Sequence, residues 1–168
     1  MPAAIKPVQP GENAYLAELE RKSGRENNFF RAMAHSPDVL ERFVPLYAAV
    51  VGRGAVDRRI KELVYLTVSY TNECPYCTAV HQASAPKAGI TEDEMRALQT
   101  QQDHGFTDAE RAAIRYAREL TQTAAADDSR DALYEHFNDR QIVEITLVAA
   151  MANFTNRFNN GLEVRPEE

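Results

Sequence analysis

Apolar residues recur at helical spacing along most of the chain, and no stretch alternates with period two for long enough to specify a strand. The pattern predicts an all-α fold. Glu12 to Ser23 puts Leu16 and Leu19 on one face and stops at Gly24. Arg25-Glu26-Asn27-Asn28 is a polar break before Phe29, Phe30 and Met33 begin the next apolar piece. Ser36-Pro37-Asp38 joins a capping residue, a proline suited to the first helical position and a first-turn acid. The helix it opens is expected to reach about Val51 with a kink at Pro45, turning Val39, Leu40, Phe43, Val44, Tyr47 and Val50 inward. Gly52-Arg53-Gly54 closes it.

Asp57 opens the next helix, where apolar residues follow Ile60 at helical spacing and Leu66 continues the face of Glu62, so little of it can be surface. Asn72 and Glu73 link it to a helix beginning at Pro75 and ending at Ala88, with Gly89 just after and Pro86 tightening the last turn. Thr91 with Glu94, and Thr107 with Glu110, read as capping boxes for two further helices; the second presents Ala113, Tyr116, Ala117 and Leu120 on one face. A break over residues 124–128 precedes a short helix with Leu133 and Phe137. A long final helix, capped by Asp139 and stopped by Asn160-Gly161, follows. Residues 1–10, with Pro2, Pro7 and Pro10, form an extended arm.

One pattern recurs. Asp57-Arg58-x-Ile60-x-Glu62-Leu63 is echoed by Asp139-Arg140-x-Ile142-x-Glu144-Ile145, either a helix-pair unit used twice or a chance similarity of two helix starts. In the second copy the positions matching Cys74, Cys77 and His81 are Asn156, Asn159 and Glu163, so any thiol chemistry belongs to the first.

A chain of 168 residues, 44% hydrophobic and 26% charged, suits a globular fold with a sizeable core. The expected organisation is an N-terminal arm and helix over residues 1–28 and a main domain over 29–168. A net charge of −6 without a Lys/Arg cluster argues against nucleic acid or an anionic membrane as partner. No run approaches the ~20 apolar residues of a bilayer span, and Met1 to Pro7 lacks the apolar core of a signal peptide. Both cysteines lie in one Cys-x-x-Cys, which suits a reducing, cytoplasmic compartment where the pair cycles.

The chemistry concentrates between Glu62 and His81. Pro75 fits the first position of a helix with Cys74 capping it, which puts Cys77 in the first turn, where unpaired N–H groups and the helix dipole favour thiolate. His81, four residues on, shares that face and can take or return the thiol proton, which makes Cys77 the better-activated sulfur. Cys74 is near enough to form a disulfide with it. Glu62, on an apolar helix, is either partnered or has a raised pKa that makes it a proton donor; the bland alternative is a first-turn acid that favours the helix dipole. Redox thiols, a metal site and inert core thiols compete here. A structural zinc site needs a second Cys/His pair, which is missing because His35, His104 and His136 stand alone. Redox is therefore preferred, with no metal or cofactor. Those three histidines are expected at the surface and Tyr76 to be a packing residue. Asn153, Asn156 and Arg157 share a face of the last helix, as a subunit contact, a substrate-anion site or a solvated helix end.

Glu62 followed by Cys74-x-x-Cys77-x-x-x-His81, with Glu62-Leu63-Val64-x-Leu66 and Ala85-x-x-x-Gly89 around it, resembles the alkylhydroperoxidase D-like branch of the carboxymuconolactone decarboxylase superfamily from about Pro37 to Gly89. The resemblance implies a multihelical bundle in which Cys77 attacks a hydroperoxide, Cys74 resolves it, and Glu62 and His81 relay protons. Tyr76 stands where many members carry a second histidine. It further implies a thiol peroxidase re-reduced by an external dithiol of lipoyl or thioredoxin type, assembled as a homo-oligomer, trimer or hexamer. A lactone-decarboxylating lyase, whose relatives do not depend on a cysteine pair, and a slow redox-sensing protein are the alternatives. The helices at 57–71 and 75–88, apolar or small on most sides, predict that a symmetry mate covers them and raises the Glu62 pKa by excluding water; cover by the chain's own second half is the alternative.

Overall fold

Helix α4 (Arg58–Thr71) runs through the middle of the molecule, and most of the other elements are arranged by how they pack on it. Leu63, Val64, Leu66 and Val68 lose all solvent contact, which ordinarily favours folding by about 1.5–3 kcal/mol per side chain. Truncating Leu66 to alanine is expected to cost about 2–5 kcal/mol. The computed structural model describes residues 5–167; the arm predicted over residues 1–10 is seen from Ile5, and its first four residues lie outside the described part. Among the described residues there is no strand, as the all-α pattern requires.

Before α4 come α1 (Ala14–Ser23), α2 (Asn28–Met33) and α3 (Pro37–Val51). After it come α5 (Pro75–Ser84), α6 (Glu92–Gln99), α7 (Asp108–Thr123), α8 (Arg130–Tyr134) and α9 (Asp139–Gly161). Helices α7 and α9 make the largest contacts with α4, and α5 and α6 cover further faces. Arg59 ties α4 to both α6 and α7, its guanidinium lying 2.5 Å from Glu94 Oε1 and 2.6 Å from Glu110 Oε1. Leu16 of α1, Phe29 of α2 and Phe43 of α3 share one apolar cluster with Cys74 and Cys77.

Most local signals act as the sequence predicts. Both Thr/Glu capping boxes form, and Asn13 caps α1 through Leu16 N–H at 2.9 Å. The Pro86 segment tightens into a 3₁₀ turn, Ala85–Ala88, closed by Gly89 in the left-handed region at φ 75°.

Several expectations need correction. Val39 is half exposed, because Leu40, Phe43 and Val50 set the buried stripe of α3 and Val39 falls off it. Ser36 and Asp57 sit at helix starts but their side chains make no capping bond. The cap of α9 is Asn138, boxed with Gln141, not Asp139. Nor does Asn160-Gly161 stop α9: the helix includes Gly161, and the chain turns at Glu163 (φ 51°), where the buried Val164 donates its N–H to Asn159 O.

The core side chains of α4 are covered from within the chain, largely by its second half, whereas on α5 Ala79 and Ala83 stay exposed. Large exposed apolar side chains lie instead on α3 (Val39, Leu46) and α9 (Val143, Leu147, Phe154). His35, His104 and His136 are exposed as expected.

Candidate active site

The site forms where α4 turns into α5 and α9 passes beside them. Asn72 ends α4, Glu73 takes a left-handed conformation (φ 50°), and Cys74 N–H bonds back to Ser69 O at 3.0 Å. This turn aims the start of α5 into the core. Cys74 caps α5 as predicted, its Sγ accepting from Cys77 N–H at 3.3 Å, and Pro75 occupies the first helical position. Both sulfurs are buried free thiols.

Of the two thiols, that of Cys77 is the more acidic. A hydrogen bond from Cys74 lowers its pKa most, burial opposes, and the bond from Asn159, the nearby Asn156 amide and the charge of His81 bring it down to about 7. The same pairing pushes the Cys74 thiol far up, because its proton is the one shared. Spacing had indicated the helix terminus and His81; the two asparagines come from α9. Asn159 Nδ2 donates to Cys77 Sγ at 3.2 Å.

Glu62 and His81 meet across the α4–α5 pair, Oε1 to Nδ1 at 2.9 Å, and Ser84 Oγ donates a short hydrogen bond to the same carboxylate oxygen. Desolvation pushes Glu62 up, but the bond and charge of His81, then the bond of Ser84, outweigh it and hold the carboxyl below its ordinary value. The expected raised pKa is thus overturned; of the two states foreseen for this residue, it adopts the partnered one. With Nδ1 engaged by Glu62, Nε2 is the His81 nitrogen left to exchange a proton. The Tyr65 ring stacks on His81 at a centroid distance of 3.7 Å and 16° between planes, and Tyr65 Oη is bonded to Thr155 Oγ1 at 2.5 Å.

Two cavities meet this wall. A narrow one of about 140 Å³ brings Cys77, His81 and Asn159 together with Tyr47, Tyr65 and Tyr76. A wider one of about 560 Å³ reaches Glu62 and His81 from the loop over residues 52–57. That loop is held by Glu144, which accepts from Ala55 N–H at 2.7 Å and Val56 N–H at 3.0 Å and pairs with Lys61 at 3.3 Å.

Tyr76 is a packing residue, beside Phe29 with its hydroxyl donating to Glu167 Oε1 at 2.9 Å. The α9 polar face is internal where it counts: Asn156 is fully buried against Ser69 and Asn72, and Asn153 bonds Thr121 and Asn72, while Arg157 is exposed. In the sequence, Asn159 stands out only through the echo, at the position matching Cys77. Among the described residues no group of three or more His, Cys, Asp or Glu could hold a metal ion, and no helix is long and apolar enough to cross a membrane.

The model of the carboxymuconolactone decarboxylase family matches residues 37–119. The uncharacterized protein YdfG of Bacillus subtilis is 26% identical over 111 residues, 64% of this chain and 76% of that one. A peroxidase-related protein from Ralstonia eutropha JMP134 with an alkylhydroperoxidase AhpD core superposes with a TM-score of 0.86 at 21% identity, over 100% of this chain and 94% of that one. The debrominase Bmp8 superposes with a TM-score of 0.82 at 21% identity, over 96% and 90%. Residues 37–119 thus match the carboxymuconolactone decarboxylase family, and the chain has the all-α fold of the alkylhydroperoxidase D-core protein it superposes on.

Proposed function

We propose that the protein is a thiol peroxidase working through a Cys74/Cys77 dithiol–disulfide cycle. The observation that carries this reading is the low-pKa thiol of Cys77 sharing a cavity with His81, whose other nitrogen is held by Glu62. Cys77 thiolate attacks the terminal oxygen of a hydroperoxide; an S–O bond forms as the O–O bond breaks, sulfur giving up the two electrons that the peroxide gains. The alkoxide leaves and takes a proton from His81, which Glu62 orients and whose charged form it stabilises. Cys74 then attacks the sulfenic sulfur, water departs, and the disulfide is reduced by an external dithiol of lipoyl or thioredoxin type. A reducing, cytoplasmic setting suits such a cycle. The lactone-decarboxylating alternative leaves the matched pair of sulfurs without a task.

Wild type should consume alkyl hydroperoxide in the presence of a dithiol, and Cys77→Ser should abolish it. Alkylation of Cys77 by iodoacetamide should rise through pH about 7, because only the thiolate reacts and its fraction grows as pH climbs through that value. Full activity in Cys77→Ser, with loss in Cys74→Ser, would reverse the roles of the sulfurs.

The chain is further proposed to assemble as a homo-oligomer, trimer or hexamer, through the apolar residues left exposed on α3 and α9. Light scattering should give a multiple of 18.9 kDa, reduced by Leu147→Glu. A monomer mass with full activity removes this part.

A further inference from the structure

Asn159 is the one asparagine of α9 that reaches a sulfur, and its two amide atoms are in different situations. Nδ2 donates to Cys77 Sγ at 3.2 Å, whereas Oδ1 is buried without a hydrogen-bond partner among the described residues. The side chain is almost wholly buried, so this acceptor has neither bulk water nor protein to satisfy it. The orientation of the amide follows from the chemistry of its neighbour: a thiolate accepts and cannot donate, so the NH₂ must face it. Asn159 also lines the cavity that holds Cys77 and His81.

We infer that Asn159 is a further catalytic residue, gripping both partners of the attack: its NH₂ holds the Cys77 thiolate, and its Oδ1 accepts the O–H of the hydroperoxide's terminal oxygen. Resting on the peroxidase reading above, the inference adds to it how the substrate is oriented. The oxygen that sulfur attacks is the one carrying the hydrogen. One amide next to sulfur can therefore reach both reacting atoms, because its own O and N are separated by a single carbon. Bound this way, the O–O bond points its far oxygen away from sulfur, as the displacement needs. The S–O bond forms, the O–O bond breaks, the hydrogen stays on the oxygen transferred to sulfur, and the alkoxide receives its proton from His81. The substrate class this selects is hydroperoxides with a free O–H; a dialkyl peroxide cannot fill the Oδ1 acceptor.

The test separates the two hands of the amide. Single-turnover rates of Cys77 would be measured with an alkyl hydroperoxide and with iodoacetamide, an electrophile that offers Oδ1 no peroxide O–H, in wild type, Asn159→Ala and Asn159→Asp. The aspartate, nearly isosteric, guards against a folding defect; folding of all three is checked by circular dichroism melts. Asn159→Ala should slow the hydroperoxide reaction by about 10²-fold, and clearly more than it slows alkylation at a pH where both proteins are fully thiolate. Asn159→Asp puts an anion against sulfur and should move the alkylation profile to higher pH, while its oxygen still accepts, so the hydroperoxide-to-iodoacetamide ratio at full ionisation recovers toward wild type. Equal slowing of the two reactions in Asn159→Ala, or none, overturns the Oδ1 role while leaving the peroxidase reading in place. A wild type that alkylates normally but never consumes hydroperoxide overturns both.

Discussion

Helices α4 and α9 begin with the same pattern and place a glutamate at the same register, Glu62 in one and Glu144 in the other. Both carboxyls are held below their ordinary value, for different reasons. Glu144 is lowered first by the backbone N–H of Ala55, with Val56 N–H and Lys61 adding to it. Glu62 is lowered against desolvation by His81 and Ser84. The amides facing Glu144 cannot titrate, so it acts as a fixed clamp on the loop over residues 52–57. Glu62 faces an imidazole instead, the group that the proposed mechanism uses as proton donor. Sequence register alone does not make a carboxylate catalytic; the protonation range of what it touches does.

The echo reaches further than the glutamates. Its offset pairs Cys77 with Asn159, and these two residues touch. Whether the echo is a unit used twice or a chance similarity, the helix without thiols supplies the amide that donates to Cys77 Sγ.

The largest effect should come from Glu62→Gln. The amide keeps the volume but cannot stabilise a charged His81, so hydroperoxide turnover should fall by about 10²–10⁴-fold with little change in thermal midpoint. Steady-state rates across pH alongside a thermal melt would check it, and a mutant that melts early yet turns over normally would make Glu62 a second Glu144. Next, Glu144→Gln should destabilise by about 1–3 kcal/mol, lowering the midpoint by about 2–4 °C per kcal/mol, while folded protein keeps most of its turnover. Gly54→Ala should act on the same clamp, because a methyl at residue 54 collides with the Glu144 carboxylate. Combined with Glu144→Gln it should cost less than the sum of the two. If the double mutant is simply additive, Gly54 is not there to admit Glu144.

The smallest effect is on acid stability. A carboxyl whose folded-state pKa is depressed contributes stability that is complete above its unfolded value, about 4.5 for both residues, and is lost as pH falls through the lower folded value. Glu144→Gln should therefore flatten the acid limb of a denaturation series. An acid limb as steep as that of the wild type would assign the loss to other carboxyls.

What could be read from the chain alone is what lies within a helical turn or two. The boxes at Thr91 and Thr107, Cys74 capping Pro75, Cys77 in the first turn with His81 four residues on, and the absence of strands all follow from backbone geometry at fixed spacing. Errors at this range came from choosing between neighbours: Asp139 for Asn138, or Val39 for the stripe of Leu40. The tertiary structure alone decided whatever required two distant segments to pack. It placed α7 and α9 against α4. It lowered the Glu62 pKa where an apolar helix had suggested a rise, because a buried charge is set by its partners as much as by its burial. It carried Asn159 across 82 positions of sequence to Cys77, a contact no local periodicity encodes, since a hydrogen bond between helices depends on how their apolar faces dock.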